Sequence, residues 1–265
     1  MKKGLVIIVF ALVVAAFLAA PLTSFAGGTI TGKVTYAGKS EEKEFLFSKF
    51  PNPKFCPKIA TKNKDLVKGD KRILRTIEVG KDGGLKNAVV AVKDIEDKAF
   101  MDGYKGTEVV GEFCEFLPLT GVVVNKKNFH VENHDSDPDD PKSVKGVLHN
   151  PHSFEVKGPS STTVFNIALA EKGSKLDKPV VLRKEKQGSI FRLQCDQHEF
   201  MQSMFLPVTN PHYTVVKEDG TFEIKDVPAG KHKLIAWHPH AGEMEADVDV
   251  PEGGTAQAKF EIKKK

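Results

Sequence analysis

Short alternating runs of apolar and polar residues, cut off every few positions by Gly, Pro, Asn or Asp, recur along this 265-residue chain, and sustained helical periodicity is almost absent. Alternation sends successive side chains to opposite faces, a pattern that only a strand can bury on one side. Ile30, Val34 and Tyr36 share one phase, as do Phe222 with Ile224, and Ala246, Val248 and Val250. Turn chemistry separates such runs at Asp82-Gly83-Gly84, Asp219-Gly220 and Pro228-Ala229-Gly230. The chain is therefore expected to be all-β.

The first 26 residues have a different character: Lys2 and Lys3, an apolar run from Leu5 to Ala20, then Ser24-Phe25-Ala26 before Gly27. That is the order of a secretory signal peptide. A retained anchor is the alternative, since the run approaches the roughly 18 to 20 residues that span a bilayer. The small-x-small site directly after it favours cleavage, hence a periplasmic or secreted protein with no membrane span. Cleavage removes two lysines, so the net charge of +4 (39 basic minus 35 acidic) becomes about +2. A near-neutral chain argues against a nucleic-acid partner, and Lys263-Lys264-Lys265 reads as a solvated tail. The roughly 239 residues left (265 minus 26) suffice for two compact β domains of about 100 to 150 residues each.

Three cysteines in an exported chain leave an odd thiol after one disulfide. Pairing Cys56 with Cys114 would free Cys195 for a metal; two buried thiols are the alternative. A metal-bound thiolate gives the leftover cysteine a purpose.

Cys195 opens the heptapeptide Cys195-Asp196-Gln197-His198-Glu199-Phe200-Met201, which places a thiolate, an imidazole and a thioether in one loop. Copper selects such donors, and two His with one Cys and a long axial Met form the type 1 (blue) copper set. The missing imidazole is expected from Leu148-His149-Asn150-Pro151-His152, with His149 the candidate and His152 its substitute. The run Ser189 to Cys195 alternates, so Phe191, Leu193 and Cys195 face the core, and His198 and Met201 fall in the turn after the strand. Met204 to Val208 can return as the next strand. Haem-attachment, nucleophile-elbow, zinc-protease and phosphate-loop motifs are absent, so no enzyme is expected. Cys195 and His198 could serve as nucleophile and base, but an inward cysteine without an oxyanion hole suits a metal better.

The spacing Cys-x-x-His-x-x-Met resembles the ligand loop of amicyanin-type cupredoxins, and His149-Asn150 resembles the His-Asn that opens the ligand set there. This resemblance, over roughly residues 101 to 208, implies His149, Cys195 and His198 as equatorial ligands of one copper and Met201 as the axial one. It gives Asn150 the task of fixing the cysteine loop. It also implies a one-electron carrier and a redox partner such as a cytochrome or an oxidoreductase, with electrons leaving through His198 and an apolar docking surface of Phe200, Met204 and Phe205. Glu199 stands where that family commonly has proline, putting a carboxylate beside the site. The strands Gly28 to Val34, Leu85 to Val92, Asp219 to Ile224 and Val227 to Leu234 look like those of a carboxypeptidase regulatory-like, transthyretin-like β-sandwich. The long gap between Val92 and Asp219 then implies that residues 101–208, a cupredoxin-like Greek-key β-sandwich, are inserted in, or interleaved with, that sandwich, which residues 27–100 and 209–265 would form. Bacterial exported proteins with both parts, including methylamine-utilisation proteins, are similar overall.

Other segments carry weaker expectations. The acidic stretch from Asp135 to Asp140 lengthens the approach to His149 enough to let His152 replace it. It fails as an EF-hand, because Asp140 and Gly146 stand where Gly and Glu are required. It reads as a solvated loop, with weak metal capture by His130, His134 and the aspartates as the alternative. His212, His238 and His240 are expected at strand ends and turns. The lysine-rich stretch 39–80 reads as an excursion able to cover a sheet edge. Two other functions compete with the electron carrier: a non-redox binding or scaffold protein, and a copper store or chaperone.

Overall fold

The computed structural model describes residues 27–51, 53–60, 64–137, 139–140 and 146–263, so the signal-like segment and the last two lysines lie outside the described residues. The fold is all-β, and the two α-helices among these residues, Phe55–Ala60 and Lys98–Gly103, span six residues each. No helix among the described residues is long and apolar enough to cross a membrane.

One pair of sheets joins the two ends of the chain. Gly28–Tyr36 lies between Thr221–Val227, antiparallel to it, and Thr255–Ile262, parallel to it. Facing this sheet is a second one, ordered Tyr213–Val215, Val89–Val92, Gly230–His238, Gly242–Val250. Alternate residues meet between them, Ile30, Val34, Val90, Phe222, Leu234 and Phe260 among them. Gly32 lets the strands approach: a Cβ there would stand 1.9 Å from the carbonyl oxygen of Ala258. Val89–Val92 is apolar throughout because both of its faces are buried. Val90 and Val92 point into this core, whereas Val89 and Ala91 join Ile235 and Trp237 against Val122, Val124, Leu206 and Val208.

Those last four residues belong to the unit that carries the candidate site. Its five-stranded sheet runs Ser160–Asn166, Pro151–Lys157, Ile190–Cys195, Gln202–Pro207, Thr120–Val123. The facing sheet runs Lys175–Pro179, Asn128–Asn133, Thr107–Glu112, Glu115–Leu117. Phe129 packs at the centre against Phe165, Phe191 and Phe205, with ring centroids 6.2, 4.8 and 5.1 Å away. Such interlocked rings hold the ends of the strands in fixed relation.

The lysine-rich excursion forms its own three-stranded sheet, ordered Glu41–Leu46, Lys71–Ile77, Val67–Lys68. Its Phe47, Cys56 and Ile59 enter the second core, away from the sandwich with which residues 27–100 were grouped. A disulfide joins Cys56 to Cys114, with Cα atoms 5.7 Å apart, and Cys195 is the free cysteine.

Candidate metal centre

Strand Ile190–Cys195 buries every second residue, which delivers Cys195 inward at its end with no exposed surface. The chain then folds back in two tight steps. His198 N–H donates to the Cys195 carbonyl at 3.3 Å and Met201 N–H to the His198 carbonyl at 2.8 Å; Cys195 N–H closes the loop on the Met201 carbonyl at 3.0 Å. These bonds bring Nδ1 of His198 to 3.8 Å from the Cys195 sulfur. His149 arrives from the neighbouring strand, where Pro151 pairs with Cys195, and exchanges backbone hydrogen bonds with Leu169 at 3.1 and 2.7 Å. One donor atom from each of His149, Cys195 and His198 lies within 4.8 Å of the others, and all three residues are buried. The ring centroids of His149 and His198 are 5.5 Å apart. Met201 is fully buried in the same core.

Nδ1 of His149 and Nε2 of His198 have no hydrogen-bond partner although both are buried. An unsatisfied buried polar atom costs about 1–3 kcal/mol. For Nδ1 of His149, a cation among the three donors would remove that cost, and two imidazoles with one thiolate fit a soft or borderline metal such as copper. Burial pushes the Cys195 thiol up, but the adjacent imidazoles of His149 and His198 outweigh it and hold the pKa at about 6. Burial pulls His149 down, yet the hydrogen bond to Asp135 and the nearby Cys195 sulfur prevail and raise it to about 9. The two shifts have opposite directions and favour charge separation between the thiol and the imidazole, and a metal takes the deprotonated form of each donor.

Asp135 is the residue that sequence reasoning missed. It is 3% exposed, not part of a solvated loop, and its Oδ2 accepts from Nε2 of His149 at 2.8 Å. Backbone N–H groups of Phe113 and Cys114 donate to the same carboxylate at 2.8 Å each. Both residues have left-handed backbone, φ 57 and 50, a turn that aims successive N–H groups at one anion. A carboxylate that fixes the far nitrogen of a histidine sets its tautomer and aims the other nitrogen at a metal. No motif marks Asp135, because the spacing to His149 has no period.

The remaining expected residues fall in distinct places. Asn150 meets the cysteine loop through its backbone: its N–H donates to the Cys195 sulfur at 3.3 Å and its carbonyl accepts from Asp196 N–H at 3.1 Å. His152 does not replace His149. It occupies the outward phase of Pro151–Lys157, with Nδ1 3.0 Å from Asp196 and Nε2 2.9 Å from Thr163. Glu199 is exposed, and its carbonyl accepts from Gln202. His130 lies between Glu108 and Asp177, at 3.7 and 3.5 Å, while His134 faces Glu132, so among the described residues the acidic stretch gathers no second histidine cluster. His238 caps a turn, its Nδ1 accepting from the N–H groups of His240 and Ala241.

The expected docking surface is not open. His198 is 1% exposed, Phe200 and Phe205 are fully buried, and Met204 is half-buried. Phe45, Phe47 and Phe50 from the excursion pack around Phe200, whose ring lies 5.5 Å from that of His198. Arg72, also buried, places its guanidinium 5.4 Å above the Phe200 ring. Its Nη2 stands 3.1 Å from Glu115 as an ion pair, off the line of a hydrogen bond.

Neither a family model nor a curated protein matches the chain. Among solved structures it is similar to a Cu-containing nitrite reductase (NirK) from Thermus scotoductus SA-01, with 11% identity and a TM-score of 0.28 over 40% of this chain and 23% of that one. The chain thus spans about a quarter of the reductase. It is also similar to a purple cupredoxin from Nitrosopumilus maritimus, with 14% identity and a TM-score of 0.29 over 38% of this chain and 99% of that one. Auracyanin B has 9% identity and a TM-score of 0.26, over 46% of this chain and 99% of its own.

Proposed function

We propose that this chain is an exported protein holding one type 1 copper with His149, Cys195, His198 and Met201, and that it carries single electrons rather than catalysing a reaction. The observation that carries the reading is the convergence of two buried imidazoles on the free thiol, with Nδ1 of His149 lacking any other partner. Bound copper supplies a one-electron couple between Cu(I) and Cu(II). The residues around it supply rigidity: Asp135 holds the His149 ring, Asn150 holds the sulfur, and the packed rings of Phe129, Phe191 and Phe205 resist movement of the strands. In the same reading residues 101–208 are a cupredoxin-like domain set between the halves of a regulatory-like sandwich, 27–100 and 209–265. The partner is a redox protein such as a cytochrome or an oxidoreductase.

Burial of His198 favours a second reading, a copper store, because a covered ligand suits retention of the ion; a chaperone would need the ion to exchange readily. Transfer of Cu(I) to an acceptor protein separates the two. The primary test is optical: the mature protein loaded with Cu(II) should show an intense thiolate-to-copper visible band that Cys195→Ser abolishes. A colourless protein that binds no copper ends both readings.

A further inference from the structure

The excursion from Glu41 to Ile77 is fastened by side chains. Its three strands hydrogen-bond to one another and, among the described residues, to no strand of the other sheets. Among the described residues, Phe47, Cys56 and Ile59 pack into the core of the second unit and Lys58 pairs with Asp139, while further attachments lie close to the candidate donors. The rings of Phe45, Phe47 and Phe50 stand 6.1, 6.1 and 5.1 Å from that of Phe200. Arg72 reaches Glu115 at 3.1 Å. Cys56 is bonded to Cys114.

These attachments converge on the donor set. Phe200 lies against His198, and Cys114 N–H holds the carboxylate that holds His149. The Cys114 sulfur itself lies within 4.8 Å of a carboxylate oxygen of Asp135 and a ring nitrogen of His149. A covering segment whose described strands pair with no strand of its support opens as a local unit once its fastenings are cut. The disulfide is the one covalent fastening among them.

We propose that the described residues of 41–77 form a lid on the metal centre, latched by the Cys56–Cys114 disulfide, and that a dithiol reductant opens it to metal entry and release. The inference rests on the reading of His149, Cys195 and His198 as a copper site. A thiolate of the reductant attacks one cystine sulfur and forms a mixed disulfide; its second thiol then displaces the remaining cysteine. Two electrons and two protons pass from the dithiol, which becomes a disulfide, to Cys56 and Cys114, which become thiols. The oxidised chain retains its metal and the reduced chain exchanges it.

The lid can be tested with and without copper on the full mature chain. In the metal-free protein, alkylation of Cys195 by iodoacetamide, read by peptide mass, should be at least about tenfold faster in Cys56→Ser/Cys114→Ser than in the wild type, because local opening sets access to a buried thiol. Phe50→Ala, with the disulfide intact, should give a smaller acceleration. In copper-loaded protein, removal by a Cu(I) chelator should accelerate in the same order. If the double variant does not fold, hydrogen exchange of dithiothreitol-treated wild type decides: Glu41–Leu46 and Lys71–Ile77 should exchange faster while Ile190–Cys195 stays protected. Equal rates with and without the disulfide overturn the lid whatever copper does. Faster alkylation in a chain that takes no copper leaves the lid standing and overturns the copper site.

Discussion

Nε2 of His149 lies 2.8 Å from Oδ2 of Asp135, and the same carboxylate takes the N–H groups of Phe113 and Cys114. The imidazole is thus held by a group that is itself held twice, which leaves Nδ1 facing the sulfur. Asp135→Asn weakens the grip on the ring, and copper affinity should fall about 10- to 100-fold, the usual effect of losing such a partner. Competition with a chelator of known affinity measures the loss. Unchanged affinity would show that packing alone orients the ring.

Arg72 and Glu115 make a buried ion pair, with side-chain exposures of 0% and 10%. Burial pulls the Arg72 pKa down, and Glu115 opposes that shift. Glu115→Ala strands the guanidinium in the core and should cost about 3–5 kcal/mol in denaturant unfolding, whereas the joint change Arg72→Met with Glu115→Leu should cost far less. Equal costs would mean that the pair itself stabilises the lid.

Acid sensitivity should report on His238. Burial, with a further contribution from His240, pulls its pKa down to about 3, and its Nδ1 lone pair is committed to two backbone N–H groups. The unfolded chain takes up this proton near pH 6.5 and the folded one does not. The stability contribution is therefore complete above pH 6.5 and is lost as pH falls toward 3. Between pH 6.5 and 5 the loss from this residue should be about 2 kcal/mol, since one proton per pH unit is worth about 1.4 kcal/mol. Unfolding of His238→Gln should be flatter over that interval.

Copper should also stabilise the folded chain by mass action. At a free concentration 100 times its dissociation constant, an ion that binds only the native state adds about 2.7 kcal/mol. Calorimetry should show a higher unfolding temperature on loading, reversed by a chelator and absent in Cys195→Ser. A loading shift that survives Cys195→Ser would place the ion elsewhere.

Several features of the fold and site were legible in the residues because they depend on near neighbours in the chain. The alternation from Ile190 to Cys195 does turn Phe191, Leu193 and Cys195 inward, and the turn after that strand carries His198, whose Nδ1 lies 3.8 Å from the sulfur. The odd number of cysteines implied one leftover thiol, and of the two alternatives for Cys56 and Cys114 the structure has the disulfide, with Cys195 free. Strand period, turn chemistry and thiol parity are local or countable, so the sequence by itself determined an all-β chain with a thiol, an imidazole and a thioether in one loop.

Only the tertiary structure decided that Asp135 is buried against His149, that His152 turns outward to Asp196, and that Phe45, Phe47 and Phe50 close over Phe200. Each contact joins segments far apart in the chain, where neither strand period nor turn chemistry restricts the pairing. An aspartate in an acidic stretch and a phenylalanine in a lysine-rich one follow the same local rules whether they meet water or the ligand loop. Which they meet is set by how the sheets pack, because burial is a property of the assembled layers and not of the segment.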